Sequence, residues 1–232
     1  MQDEAYLGAV DIVGLSMINV NKFVNVIGID EAGRGPLAGP VAVGGVMIVT
    51  SDTRQATRML RGIRDSKQLS EKQREKWFFF LMTHPQLQCA VAFVWPRVID
   101  RINIRNATLL GARRVYAKLS LQCPKLSLGQ QQARGGDWSP PRALLDGGLF
   151  LPPSICASQQ TIIKGDEKIP LIAAASIIAK VRRDRLMRIL HKKYPEYRFD
   201  LHKGYGTALH REMIAEFGRC EVHRRSFRVT QT

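Results

Sequence analysis

Three apolar runs in this chain end on carboxylates, and that pattern constrains the fold more than any other feature. Phe23 to Asp30, rich in Val and Ile, closes on two adjacent acids, Asp30 and Glu31. The run "RALLDG" closes on Asp146 and "QTIIKGD" on Asp166, each Asp beside a Gly. Short β-branched runs bounded by turn residues read as buried strands. Val41–Val49 and "LQCAVAFVWP" (Leu87–Pro96) add two more. In α/β sheets, ligand sites gather at the carboxyl ends of strands. Taken singly, an Asp before a Gly is ordinary turn chemistry, and Asp30-Glu31 suits a solvated loop or a helix cap equally well. The four acids are read together because all follow apolar runs. Asp65, Asp100, Asp184 and Glu212 instead lie in helix-like or loop-like contexts where capping and surface pairing suffice.

The remaining segments are mostly helical. Ser70 and Gln73 form a capping box in front of "EKQREKWFFFLM", which predicts a helix with Phe79, Phe80 and neighbours on its buried side. Asn106–Lys118 alternates apolar and basic residues at helical spacing. "AAASIIAKVRRDRLMRILHKKY" predicts a long helix, apolar at Ile177, Ile178, Val181 and Leu190 and basic at Lys180, Arg182, Arg183, Arg185 and Arg188. A last helix is expected near Ala208–Phe217. Trp77 and Trp95 sit in apolar runs and are assigned to the core. Strands interleaved with helices argue an α/β sheet followed by a helical C-terminal part.

The 232 residues suit one large domain, at roughly 150 residues per domain. Residues 1–21 read as a flexible N-terminal extension and 22–232 as the catalytic domain, with a helical part from about 195. The Gln-, Gly- and Pro-rich stretch at about 121–141 ("LGQQQARGGDWSPPR") reads as a flexible insertion.

A formal net charge of +15, from 35 Lys+Arg against 20 Asp+Glu, attracts polyanions, so nucleic acid is the leading partner class. A ribosome-associated or merely basic soluble protein is the alternative. Cys89, Cys123, Cys156 and Cys220 form no Cys-x-x-Cys pair, which argues against a zinc ribbon or a disulfide framework and for a reducing, cytoplasmic setting. The apolar stretch Leu7–Met17 is broken by Asp11, so neither a secretory signal nor a membrane span is expected.

Carboxylates gathered at a sheet edge repel one another unless cations bind there, and oxygen-only ligands suit Mg²⁺ or Mn²⁺. In a strongly basic protein this suggests phosphodiester chemistry. Two ions about 4 Å apart activate a water and stabilise the leaving 3′-oxygen, while lysines and arginines hold the backbone.

The motifs "VIGIDEAGRGPLAGPVAVGGV", "DSKQLSEKQRE", "NIRNATLLGA", "LLDGG", "IIKGDEKIPLIAAASIIAKVRRD" and "HKGYGTALH", in this order, resemble the bacterial ribonuclease HII family. The likeness runs from about residue 23 to Phe227. It implies a ribonuclease H-like α/β fold, with a mixed central sheet flanked by helices and a C-terminal helical region. It implies an endonuclease of ribonucleotide excision repair that cuts the RNA strand of RNA–DNA hybrids and 5′ of single ribonucleotides embedded in duplex DNA. Two divalent ions, Mn²⁺ or Mg²⁺, serve as cofactors, and the products carry 5′-phosphate and 3′-hydroxyl ends. On the family pattern Asp30, Glu31, Asp146 and Asp166 bind the metals. Gly33, Arg34 and Gly35 meet the 2′-hydroxyl side of the ribonucleotide, in keeping with close backbone approach at glycine. Tyr205 stacks on the following deoxyribose. Ser66, Lys67, Ser176, Lys180 and Arg183 lie near the substrate backbone, with Lys180 and Arg183 as phosphate contacts; a small helix-packing role is the equal alternative for Ser176. His202 and His210 are assigned no catalytic part. A monomer without a membrane role is expected. The sister ribonuclease HIII family is disfavoured, because the roughly twenty residues before the first strand are too few for its additional N-terminal domain. The competing reading is a basic protein that coats nucleic acid and uses its acids only as turns and caps.

Overall fold

The computed structural model describes residues 25–49, 55, 58–122 and 140–229. The N-terminal extension and residues 123–139 of the expected insertion lie outside them. Five strands form one mixed sheet in the order β3-β2-β1-β4-β5. They are β1 (Val26–Ala32), β2 (Val41–Ile48), β3 (Leu87–Val94), β4 (Arg142–Asp146) and β5 (Gln159–Ile162). The pairs β1–β2 and β2–β3 are antiparallel, whereas β1–β4 and β4–β5 are parallel. The carboxyl ends of β1, β4 and β5 therefore share one edge of the sheet, which is where the acids were expected.

Two layers of helix cover the sheet. The helices are α1 (Glu71–Thr83), α2 (Pro96–Gln122), α3 (Gly165–Lys168), α4 (Pro170–Lys193), α5 (Phe199–His202) and α6 (Ala208–Phe217). On one face α4 buries Leu171, Ile172, Ala174, Ala175, Ile177, Ile178 and Val181 among Val26, Val46 and Ile48 of the sheet. On the other, Ala112, Val115, Tyr116 and Leu119 of α2 pack on Ile27, Ile29, Val43 and Met47. Strand alternation produces this division, because successive side chains of β1 point to opposite faces. A third, smaller core of Ala38, Met187, Leu190, Tyr197, Phe199 and Val222 ties the C-terminal part to the loop after β1. Beside it His202, His210 and His223 pack ring against ring, with the His202 and His210 centroids 4.3 Å apart. Burial lowers all three imidazoles, His210 and His223 to about 4, so they are neutral packing groups near pH 7.

Local signals explain most boundaries. Both arms of the Ser70–Gln73 capping box form, and α6 spans the expected Ala208–Phe217. Pro96 ends β3 and also opens α2, since its missing N–H is no loss in a first turn. That helix kinks at Asn103 (φ 63°), whose side chain accepts from Asn106 N and restarts the helix. Two core assignments are corrected. Phe79 is 70% exposed, and the buried side of α1 is Phe78 and Leu81. Each step along a helix turns the side chain by about 100°, so a run of three phenylalanines does not reveal which one faces inward. Trp95 is 42% exposed at the strand-to-helix corner, whereas Trp77 is partly buried, edge-on to Phe80 at 5.7 Å. Among the described residues no helix is long and apolar enough to cross a membrane.

The sheet and α4 meet backbone to backbone. A Cβ on Gly28 would sit 2.5 Å from Leu171 O, and one on Gly44 would press still closer on Ala175 O. Neither neighbour is a flexible side-chain end, so the helix would have to move. Gly44→Ala is therefore expected to destabilise the fold by about 1–3 kcal/mol, read as a lowered melting temperature with the sheet's circular-dichroism signal retained.

Candidate active site

The parallel register of β1 and β4 pairs Ile29 with Leu145, so the next residues stand side by side, Asp146 at the end of β4 and Asp30 two residues before the end of β1. Asp166 arrives from α3, the single helical turn after β5. Carboxylate oxygens of Asp30, Asp146 and Asp166 all lie within 4.8 Å of one another. Glu31 does not join this triad. It follows Asp30 on the same strand, where the charges of Asp146 and Lys67 still act on it, and its Oε1 accepts from Arg34 Nη1 at 3.2 Å. Its Oε2 is buried with no partner.

Burial and like charge set the electrostatics. Asp30 is 4% exposed. Burial first, then the charges of Glu31 and Asp146, push its carboxyl well above the usual carboxylate range, against hydrogen bonds from Ser176 and from the Glu31 amide. Burial also raises Glu31, opposed by Arg34. Burial and the Asp166 charge raise Asp146, whose Oδ1 accepts from Gly165 N at 2.6 Å. One cation enters the cluster from the protein itself. Lys67, on a 3₁₀ turn (Ser66–Gln68) capped by Asp65, reaches Asp166 Oδ2 with its Nζ at 3.2 Å. Burial pulls that ammonium down, but Asp166, Asp65 and Asp30 outweigh it and hold it above the ordinary lysine value.

The expected substrate groups divide into surface and support. Gly33, Arg34 and Gly35 form the turn directly after β1; Gly33 is left-handed (φ 87°), and the space where a Gly35 side chain would stand is open. Tyr205 is 42% exposed, with Lys180 Nζ 6.0 Å and Arg183 Cζ 5.7 Å from its ring centroid, a cation–π arrangement. Lys180 also pairs with Asp184 at 3.0 Å. Three expected substrate contacts are placed otherwise. Ser66 and Ser176 are both buried and share a 2.8 Å hydrogen bond, so they brace Asp30 from behind. Arg183, expected as a phosphate contact, is wholly buried and donates to the carbonyls of Pro40 and Ala38. A guanidinium sealed in that position serves the loop after β1. Arg224, which also binds this loop, was not singled out in the sequence; its partners lie some 190 residues away, so no local pattern marks it.

An edge of a mixed α/β sheet that gathers acidic oxygens, inside a strongly basic surface, defines a nucleic-acid phosphodiesterase class. The family described as ribonuclease HII matches residues 27–230. A ribonuclease HII from Chlamydia trachomatis serovar A is 45% identical over 205 residues, covering 88% of this chain and 82% of the relative. One from Caldicellulosiruptor bescii is 41% identical over 202 residues, covering 87% and 85%. Among solved structures, the ribonuclease HII in the complex with PCNA from Archaeoglobus fulgidus superposes with a TM-score of 0.67 at 27% identity, covering 89% of this chain and 96% of that one. A Bst ribonuclease HIII in complex with Mn²⁺ gives 0.68 at 19% identity, a likeness of fold, over 92% of this chain and 71% of that one. The chain belongs to the ribonuclease HII family. It is a hydrolase with a ribonuclease H-like fold that acts on RNA paired to DNA, which removes the reading of a non-catalytic coat.

The raised carboxyls carry a stability cost. Groups raised in the folded protein hold protons that the unfolded chain has already released, so their contribution falls as pH climbs through the raised values. With a chelator present at pH 7, Asp30→Asn is expected to melt higher than the wild-type protein by about 2–4 °C, the equivalent of 1 kcal/mol in a domain of this size. The gap should close as pH falls from the raised value of Asp30, where the folded protein takes up the proton, to the ordinary carboxylate range, where the unfolded chain takes it up too. A variant that melts lower at pH 7 would contradict this account.

Proposed function

We propose that the chain cuts RNA–DNA hybrids and duplex DNA at single ribonucleotides, on the 5′ side of the ribonucleotide, leaving 5′-phosphate and 3′-hydroxyl ends. Asp30, Asp146 and Asp166 would hold divalent ions directly, and Glu31, next to Asp30, would complete the set. The observation that carries the reading is the convergence of three carboxylates on one point while burial and mutual repulsion raise two of them. The donors fit the group: all are hard oxygens, as Mg²⁺ and Mn²⁺ require, and Glu31 Oε2 is buried without a hydrogen-bond partner. Bound there, two ions supply the charge that activates a water for in-line attack and stabilises the departing 3′-oxygen.

The protein's own groups do the rest. Ser176, backed by Ser66, fixes the Asp30 carboxylate. Lys67 offsets negative charge beside Asp166 and offers an ammonium to the phosphate. The Gly33-Arg34-Gly35 turn, within a few residues of Asp30, lets backbone approach the 2′-hydroxyl, which both donates and accepts and so separates RNA from DNA. The half-exposed Tyr205 ring offers a flat apolar surface to the next sugar, with Lys180 beside it.

Two substitutions test the reading on a duplex carrying one ribonucleotide and on an all-RNA strand paired to DNA, with Mg²⁺ and Mn²⁺ in turn. Asp146→Asn is expected to slow cleavage of both by about a thousandfold, a barrier of roughly 4 kcal/mol, with little change in duplex affinity; full activity would sink the mechanism. Tyr205→Ala is expected to slow the embedded-ribonucleotide substrate by about tenfold or more, as loss of a stacking surface does, and the hybrid by less. Equal losses on the two would remove Tyr205 from junction recognition.

A further inference from the structure

Two buried arginines lie under the turn after β1, and neither forms an ion pair among the described residues. Arg224, on the segment following α6, is 1% exposed. Its Nη2 donates to Gly33 O at 2.6 Å, its Nη1 to Arg34 O at 2.7 Å and its Nε to Gly39 O at 3.0 Å. Its backbone amide donates to Leu37 O at 2.8 Å. Arg183, from α4, donates to Pro40 O at 3.0 Å and Ala38 O at 3.2 Å, leaving Nη1 buried without a partner. It packs so closely under Gly33 that a Cβ there would collide with its guanidinium.

Taking two guanidinium groups out of water in return for carbonyl dipoles and one ring contact each, Arg183 with Tyr205 and Arg224 with Phe227, is costly, and an apolar side chain would fill the same volume at less expense. Burial, with the neighbouring Arg183 charge adding to it, pulls Arg224 down to about 9. What the pair secures is the orientation of peptide planes. In a trans peptide the C=O and the following N–H point opposite ways. With the carbonyls of Gly33 and Arg34 turned inward onto Arg224, the amides of Arg34 and Gly35 face outward, beside Asp30 and Glu31. Neither amide has a partner among the described residues.

We infer that Arg224, seconded by Arg183, is a positioning residue that aims the Arg34 and Gly35 amides at the 2′-hydroxyl of the substrate. Both arginines act through the backbone and touch no substrate themselves. The C-terminal segment thereby sets the selectivity of a turn that belongs to the sheet. The inference rests on the reading of Gly33–Gly35 as the ribonucleotide-sensing turn.

The test measures affinity by fluorescence anisotropy, with Ca²⁺ in place of the working ion, for a duplex with one ribonucleotide and for the same duplex in all-DNA form. The wild-type protein is expected to prefer the ribonucleotide duplex by about tenfold, the worth of one well-placed hydrogen-bonded group. Arg224→Lys keeps the charge but cannot span three carbonyls. It is expected to bring the preference close to one while all-DNA affinity and calorimetric Mn²⁺ binding stay at wild-type values. Should Arg224→Lys melt below assay temperature, Arg183→Lys carries the same expectation. A variant that keeps the wild-type preference, or loses affinity for both duplexes alike, overturns the inference alone. A wild-type protein that binds the two duplexes equally overturns the reading of the turn, and the inference with it.

Discussion

The close seating of α4 on the sheet is the contact on which the rest of the molecule depends. Gly28 and Gly44 let the helix backbone approach β1 and β2 without intervening side chains. That approach determines what a helix residue can reach. Ser176, Lys180, Arg183 and Met187 follow one another at spacings of three and four, a single stripe along the helix. Each meets a different part of the region beyond β1: Ser176 reaches Asp30, Lys180 lies near Tyr205, Arg183 holds the Pro40 and Ala38 carbonyls, and Met187 fills the small core with Ala38. A helix held one side chain farther out would lose all four contacts together.

The same seating brings carboxylates together that repel. Asp30 is buried on the α4 side of the strand, beside Asp146 at the end of β4, and among the described residues the paired countercharges are Lys67 and Arg34. Two cations against four acids leave the cluster negative in a chain whose net charge is +15. The long-range field of such a chain has the sign that attracts polyanions, whereas the local field at the sheet edge has the sign that suits cations. Hydrogen bonds from Ser176 and Gly165 hold the carboxylates in place in spite of the repulsion, which is the strain a metal site relieves when filled.

How much of this could be read from residues alone follows from the range of each interaction. The capping box at Ser70, the strand pattern of β1 and β2 and the limits of α6 depend on neighbours a few positions apart, and the structure agrees with them. The grouping of Asp30, Asp146 and Asp166 was legible because strand-end acids converge in any parallel arrangement of those strands. Glu31 was not separable from Asp30 by composition; only in the structure does it pair with Arg34 while the three aspartates gather beside it. Phe79 and Trp95 were misjudged because an apolar run shows that something is buried without showing the phase. Arg183 looked like one more cation on a basic helix. Its role becomes visible only once the loop of residues 33–40 is seen folded over it, and Arg224 gave no local signal at all.

These long-range contacts also explain why the C-terminal part belongs to the catalytic unit. Gly204 O accepts from Leu37 N and Ala38 N, Val222 O accepts from Gly39 N, and Ala38 bridges to His223. The loop after β1 is therefore stitched to the Tyr205 turn and to the Arg224 segment by backbone as well as side chains. His210 holds Tyr205 O at 2.9 Å and meets His223 at 3.1 Å, so the tyrosine is referenced to the same loop. Neutral imidazoles suit that duty, since each can donate from one nitrogen and accept at the other. The acids are positioned by the sheet and α4, and the turn and the tyrosine by the C-terminal part. The loop from Gly33 to Pro40 is the short stretch of chain in which the two frames are joined, so the distance from the acids to the turn and the tyrosine is set there.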